Sequence, residues 1–338
     1  MRPVVSSFVL ALLPALLPAQ DFGAKSLQDL YPLPVEGKKW VRSELPFAAG
    51  DYSGQPRLIL IVPKKSDGGE EIGEMVSELQ SSFGDQGLVI YAATDEKSSD
   101  EKLAALGLAD IPVLTSASKV VRSYKAKKQA VAYLQGNNDQ VIWEGNIPRD
   151  GGPSADLIKR IRSEVEGCHP APELRELHEK LAGLAELVQR KRFVEAAKQM
   201  EKLRKKKELR DDLAHVSEQL DAYRDRLTDE LRAAMEEKRP LDVAELTRLY
   251  MIGYDAFSND TLAAYSNMVA KWMVDPELKK IRSAAIGYAN AEYEVRNGKP
   301  KQALVEFRAL AGSSGNDDVD RAAYRRIAVL EKALGKKR

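Results

Sequence analysis

Residues 57–83 read RLILIVPKKSDGGEEIGEMVSELQSSF, and the fold follows from how this stretch divides. Leu58-Ile59-Leu60-Ile61-Val62 is an unbroken apolar run of strand length, the pattern of a central strand covered on both faces. Beyond Gly68-Gly69-Glu70-Glu71, the residues Ile72, Met75, Val76, Leu79 and Phe83 recur at helical spacing and form one apolar stripe. A buried strand feeding an amphipathic helix opens an α/β layer, so the flanking sequence is expected to continue in alternation.

It does. Leu88 to Ala93 reads as a second buried strand. Ser98 and Glu101 have the spacing of a capping box for a short helix through Leu106. Ile111-Pro112-Val113-Leu114 follows as a short strand, then a helix near Val120 to Tyr124. Ala130 to Gln135 and Gln140 to Trp143 pair across Gly136-Asn137-Asn138-Asp139, residue types that tolerate left-handed backbone angles. Leu157, Ile158, Ile161 and Val165 close the layer as an amphipathic helix. Upstream, Pro32, Pro34, Gly37 and Gly50-Asp51-Tyr52-Ser53-Gly54 predict turns around one short strand near Trp40-Val41.

In this order of elements, residues 57–167 resemble the redoxin (TlpA-like) branch of the thioredoxin superfamily, over about a third of the chain. Members of that branch run from a buried strand through W-C-x-x-C into a helix. Laid without a gap, their cysteines fall at Gly68 and Glu71, and their helical glutamate and methionine at Glu74 and Met75. The f-P-v-l segment is echoed by Ile111-Pro112-Val113-Leu114, the aromatic-ended helix by Tyr124, and the closing strands by Tyr133-Leu134 and Val141-Ile142-Trp143. Where members place a cis-proline that faces the thiols, this chain has Ala130. A non-proline cis bond costs about 3 kcal/mol, so the Gln129–Ala130 bond is predicted to be trans. The resemblance therefore implies a thioredoxin-like fold in which Gly68, Glu71 and Ala130 are degenerate redox positions and no catalytic residue is carried over. Dithiol exchange needs one thiolate to attack and a second to resolve, and glycine and glutamate do neither.

The amino terminus reads as a cleaved leader over 1–20. Arg2 is the only early charge, Val4 to Leu17 is mostly apolar, and Leu17-Pro18-Ala19 supplies a small-residue exit. The run is shorter than the roughly 20 residues of a membrane span and is interrupted by Pro14 and Pro18. Export to the periplasm or the extracellular space is the expectation. With one cysteine, Cys168, the chain can form no internal disulfide, so hydrophobic burial must stabilise it. A net charge of +1, from 52 Lys and Arg against 51 Asp and Glu, gives no bias towards nucleic acid.

After Cys168-His169-Pro170-Ala171-Pro172 the composition changes, with few prolines and glycines and dominant helical periodicity. The expected division is a 21–56 extension packing on the first domain, a 57–167 α/β domain, a 168–172 linker and a 173–338 all-α domain of helical hairpins. Leu174, Leu177, Leu181, Leu184 and Leu187 predict one helix, and Phe193, Ala196, Ala197, Met200 and Leu203 its partner. Leu209, Leu213, Val216, Leu220, Tyr223, Leu227 and Leu231 predict a long helix, read as buried within the chain rather than as a dimeric coiled coil. Ala289 to Leu310, with Asn297-Gly298 at the turn and Ala303 and Phe307 in its second helix, resembles a tetratricopeptide unit, and Arg192-Phe193 with Ala196 repeats it more weakly. Ala196, Ala244 and Ala303 lie 48 and 59 residues apart, not the roughly 34 of a regular array, so the repeats are degenerate.

Among candidate sites, Arg190, Lys191, Arg192, Lys205, Lys206 and Lys207 form the densest basic stretch and are candidates for binding a protein partner or an anion. The competing reading is a solvated helix end offset by Glu201, Glu208, Asp211 and Asp212. Glu70, Glu71 and Glu74 complement the start of a helix rather than form a catalytic cluster. Cys168-His169 lacks the further ligands a metal needs and the base and oxyanion site a nucleophile needs. No cofactor and no metal are expected, and Gly68-Gly69 lacks the lysine and hydroxyl of a phosphate loop. The expected function is an exported, non-catalytic protein-binding or scaffolding role in the cell envelope. The alternatives are a divergent thiol–disulfide or peroxide enzyme using Cys168 and a basic-patch binder of anionic surface polymers.

Overall fold

A computed structural model describes residues 39–43, 45–47, 51–97, 99–124, 126, 128–147, 152–252, 259–296 and 298–335. The leader expected at 1–20, the first part of the 21–56 extension, Ser98 of the capping box and Asn297 of the hairpin turn lie outside these residues.

One six-stranded mixed sheet carries the α/β region: β1 (Trp40–Val41), β2 (Arg57–Val62), β3 (Val89–Thr94), β4 (Val113–Leu114), β5 (Val131–Gln135) and β6 (Val141–Asn146), in the order β1-β4-β3-β2-β5-β6. β2, β3 and β4 are parallel, whereas β5 runs antiparallel to β2, and β6 to β5. The parallel steps are bridged by α1 (Gly69–Phe83) and α2 (Asp100–Ala105), as parallel pairs require a crossover. α3 (Ser118–Ser123) leads into the antiparallel hairpin, and α4 (Ala155–Glu166) returns over the sheet. This is the thioredoxin-like topology.

The apolar run of β2 is central because its two faces meet two cores. Leu58, Leu60 and Val62 pack with Ile72, Met75, Val76, Leu79, Leu157 and Ile161 of α1 and α4. Ile59 and Ile61 pack on the opposite face with Phe47, Tyr91, Val121, Tyr124 and Tyr133. Strand alternation sends successive side chains to opposite faces, and each fully buried side chain contributes about 1.5–3 kcal/mol.

The helical region comprises α5 (Ala182–Gln189), α6 (Phe193–Leu203), α7 (Arg210–Glu236), α8 (Pro240–Ile252), α9 (Asn259–Val274), α10 (Pro276–Arg296), α11 (Pro300–Leu310) and α12 (Asp317–Gly335). Proline opens α8, α10 and α11, where its missing N–H costs nothing. The whole stripe from Leu209 to Leu231 is buried within the chain. The chain divides into two compact units, residues 25–226 with 328–338, and the unit containing 227–327. In the latter, Ala303 and Phe307 are fully buried, Tyr250 stacks on Tyr265 with ring centroids 4.5 Å apart, and Arg326 pairs with buried Glu292 at 2.6 Å.

One expectation is corrected here. The helix predicted from Leu174 is absent over 171–178, and after a short 3-10 turn at Glu179–Leu181 the α-helix begins only at Ala182. Residues 168–172 lie inside one compact unit, which also holds the sheet, α5, α6 and the first part of α7. What joins them is the α5–α6 turn. Arg190 is fully buried, its guanidinium 4.0 Å from the Phe47 ring, and donates to the carbonyls of Leu45 (2.8 Å) and Pro46 (3.0 Å) and to Asp51 (3.2 Å), Ser43 and Glu186. Lys191 sits in the left-handed region (φ 59°) and sends its ammonium to the carbonyls of Ser53 and His169. Arg192 bonds the other oxygen of Asp51 at 2.7 Å, and the backbone N–H of Tyr52 donates to the Arg190 carbonyl at 3.2 Å.

Candidate functional site

Open α/β sheets bind ligands in the crevice beyond the carboxyl ends of their parallel strands, and α1 begins beyond the carboxyl end of β2. Gly68 caps α1 with φ 92° and ψ 38°, a left-handed conformation, and no side chain caps the helix there. That backbone is open to glycine and strained for an L-residue. Gly69 and Gly73 let the first turn of α1 press against the backbone at the end of α2. A Cβ on Gly69 would run into the Ala105 carbonyl oxygen, and one on Gly73 would sit 3.5 Å from Gly107 Cα. The degenerate position Glu71 lies in the first turn of α1, with its carboxylate beside Gly68.

Opposite this turn is the segment entering β5. The Gln129–Ala130 bond is trans, as no described peptide bond is cis. Ala130 is buried, and its carbonyl accepts from the Ile147 N–H at 3.2 Å, which ties the mouth of the β5–β6 hairpin. Asp67, Gly68, Ile72, Lys128, Gln129, Ala130 and Ile147 line a shallow cleft between the two segments. Its floor is apolar, since Ile72, Ala130 and Ile147 are buried, and its rim carries exposed Asp67, Lys128 and Gln129. The structure thus brings Gly68 and Ala130 to one cleft. Sequence reasoning missed Asp67, Lys128, Gln129 and Ile147, whose only signal was adjacency to the degenerate positions.

Cys168 is elsewhere. Its thiol donates to the Gln86 carbonyl at 3.1 Å, in the loop that enters β3. Gly68 follows the end of β2, Gln86 precedes the start of β3, and the two strands are parallel. Six residues of strand, about 20 Å, therefore separate the thiol from the cleft. Burial pushes the Cys168 thiol above its ordinary pKa, and the nearby Lys191 and Arg226 charges offset only part of that. Among the described residues no group of three or more His, Cys, Asp or Glu side chains could hold a metal ion.

The basic residues separate into two sets. Arg190 and Lys191 are buried and Arg192 is largely so, each bonded within the chain. All three therefore spend their charges on groups of this chain. Lys205, Lys206 and Lys207 are exposed at the turn between α6 and α7.

No family model matches the chain, and no curated protein does. Solved structures with similarity over the α/β region include a thiol:disulfide interchange protein DsbE from Chlorobium tepidum. It is 16% identical over 34% of this chain and 82% of its own, with a TM-score of 0.28. Another is peroxiredoxin Q of Xanthomonas campestris, at 15% identity over 36% of this chain and 85% of its own (TM-score 0.28). A third is a secreted disulfide oxidoreductase of Mycobacterium tuberculosis, at 14% identity over 41% of this chain and 98% of its own (TM-score 0.28). The expectation of a non-catalytic scaffolding role is corrected here, since the three proteins just named carry redox descriptions.

Proposed function

We propose that the α/β domain takes an extended polypeptide into the cleft between Gly68 and Ala130. The observation that supports this is the cleft itself, with a small apolar floor of Ile72, Ala130 and Ile147 under a rim that holds one anion, Asp67, and one cation, Lys128. Such a site suits one apolar side chain, with a basic neighbour on the Asp67 side. The reading places the ligand at the sheet end. It calls on no thiol, since Gly68 and Glu71 carry no sulfur, and on no cofactor. Fluorescence anisotropy with a panel of labelled peptides tests it. Asp67→Lys should weaken binding of the basic-flanked peptides by about tenfold, the size expected of one partly screened charge contact. An Asp67→Lys protein that binds the whole panel as the parent does would overturn it.

A second reading is favoured by the two cations near Cys168. The Cys168 thiolate attacks a small disulfide, the S–S bond breaks, one half leaves as a thiolate and the other stays as a mixed disulfide, which an external thiol then releases. Because burial raises the Cys168 pKa, adduct formation with glutathione disulfide should be slow at neutral pH and accelerate as pH rises past that of an ordinary thiol. Mass spectrometry reads the adduct, and failure of the folded protein to form it even at alkaline pH would refute the assignment.

Export with cleavage near Ala19 belongs with these proposals, as does a tetratricopeptide-like relation between α5–α6 and α10–α11. No helix among the described residues is long and apolar enough to cross a membrane. Amino-terminal sequencing of the native protein decides the leader.

A further inference from the structure

The turn between α6 and α7 is a concentration of charge that the molecule does not neutralise. Lys198, Lys202, Lys205, Lys206, Lys207 and Arg210 are all exposed, and none forms an ion pair among the described residues. The carboxylates nearby are committed elsewhere. Glu201 pairs with Arg204 at 3.5 Å, Glu208 with Lys180 at 3.8 Å and Asp212 with Arg175 at 3.0 Å, which leaves Asp211. Lys198 and Lys202 stand four residues apart on α6, where like charges repel across one helix face. The three lysines at the tip extend the same patch, and Leu209, fully buried, anchors the turn beneath them.

We infer that this turn binds an acidic polypeptide segment, a run rich in Asp and Glu. The composition selects among polyanions. Residues 198–210 expose no large apolar side chain, Leu203 being half-buried and Leu209 buried, so there is no anchor for a bilayer. They contain no aromatic residue on which a nucleobase could stack. Lysine outnumbers arginine five to two across this stretch, and lysine lacks the fork that grips phosphate or sulfate bidentately. A carboxylate-rich chain needs only point charges. From Lys198 to Lys202 the rise of α6 spans about 6 Å, the reach of roughly two residues of extended chain.

The test is anisotropy of a fluorescein-labelled oligoglutamate titrated with the full-length protein at low and physiological salt. The triple substitution Lys205→Glu, Lys206→Glu, Lys207→Glu should weaken binding by about tenfold or more and flatten its salt dependence. Lys159→Glu, Lys280→Glu, Lys301→Glu makes the same charge change at exposed positions elsewhere and should stay within about twofold of the parent. Equal losses in the two triples would reduce the effect to bulk charge and overturn the inference. So would tighter binding to phosphatidylglycerol vesicles, to single-stranded DNA or to a sulfated glycan than to oligoglutamate at matched salt. Circular dichroism of each triple confirms the fold, which exposed substitutions leave intact.

Discussion

At the residue scale the instructive position is Gly68. That it carries no sulfur is plain from the sequence, and so is the absence of proline at Ala130. What the sequence does not disclose is that Gly68 is left-handed and that Gly69 lies against the Ala105 carbonyl. Both depend on how closely α1 approaches the end of α2, a tertiary distance without a local signature. Gly68→Ala should cost about 1 kcal/mol, because an L-residue is strained in that region. Gly69→Ala should cost more, because backbone cannot rotate away from the added methyl. Urea midpoints of the two variants give the order. Introducing a dithiol by Gly68→Cys and Glu71→Cys meets the same left-handed strain at position 68.

At the scale of the element, the informative miss is the segment before α5. The leucine spacing from Leu174 to Leu187 is helical, yet 171–178 is extended because its backbone is engaged from a distance. The N–H of Arg175 donates to His215 Nε2 at 3.2 Å and that of His178 to Asp212 at 3.0 Å, while His178 Nδ1 accepts from the Lys180 N–H at 3.2 Å. Periodicity reports which side chains are apolar and is silent on such competition for the backbone. The long buried strand β2 and the stripes of α1, α4 and α7 were legible, since no side chain elsewhere outbids their own hydrogen bonds. Hydrogen bonding from the His178 N–H, reinforced by Arg175, holds the Asp212 carboxyl below the usual carboxylate range. The stability it contributes is therefore present above the ordinary carboxyl pKa and lost as pH falls through the lowered one. Asp212→Asn should speed hydrogen exchange over 173–181 at neutral pH and match the parent in strong acid.

For the whole molecule, the boundary drawn by composition and the boundary drawn by packing differ. Prolines at 170 and 172 mark a change of secondary structure, but the compact unit continues to Arg226. The three basic residues at 190–192 explain why, and their sequence context gave no sign of burial, since such runs are ordinarily solvated. Arg190→Met should destabilise the unit by about 3–5 kcal/mol, the cost of leaving a buried carboxylate with one partner fewer. Asp51, only 4% exposed, is that carboxylate. Chemical denaturation of the full chain measures the loss, and a protein cut after residue 172 should fail to give a cooperative melt.

The Arg190 anchor also imposes an order in time. Ser43 and Arg190 are 147 residues apart in the chain yet share a hydrogen bond. At about 5–20 residues per second of synthesis, the segment around Ser43 to Gly54 waits on the order of ten seconds or more for its partner to emerge. Throughout that interval Phe47 and Asp51 have no Arg190 to cover them, and the strands behind them are already made. A nascent chain of this protein is thus exposed to misassociation until just past the middle of its synthesis, when the α5–α6 turn follows.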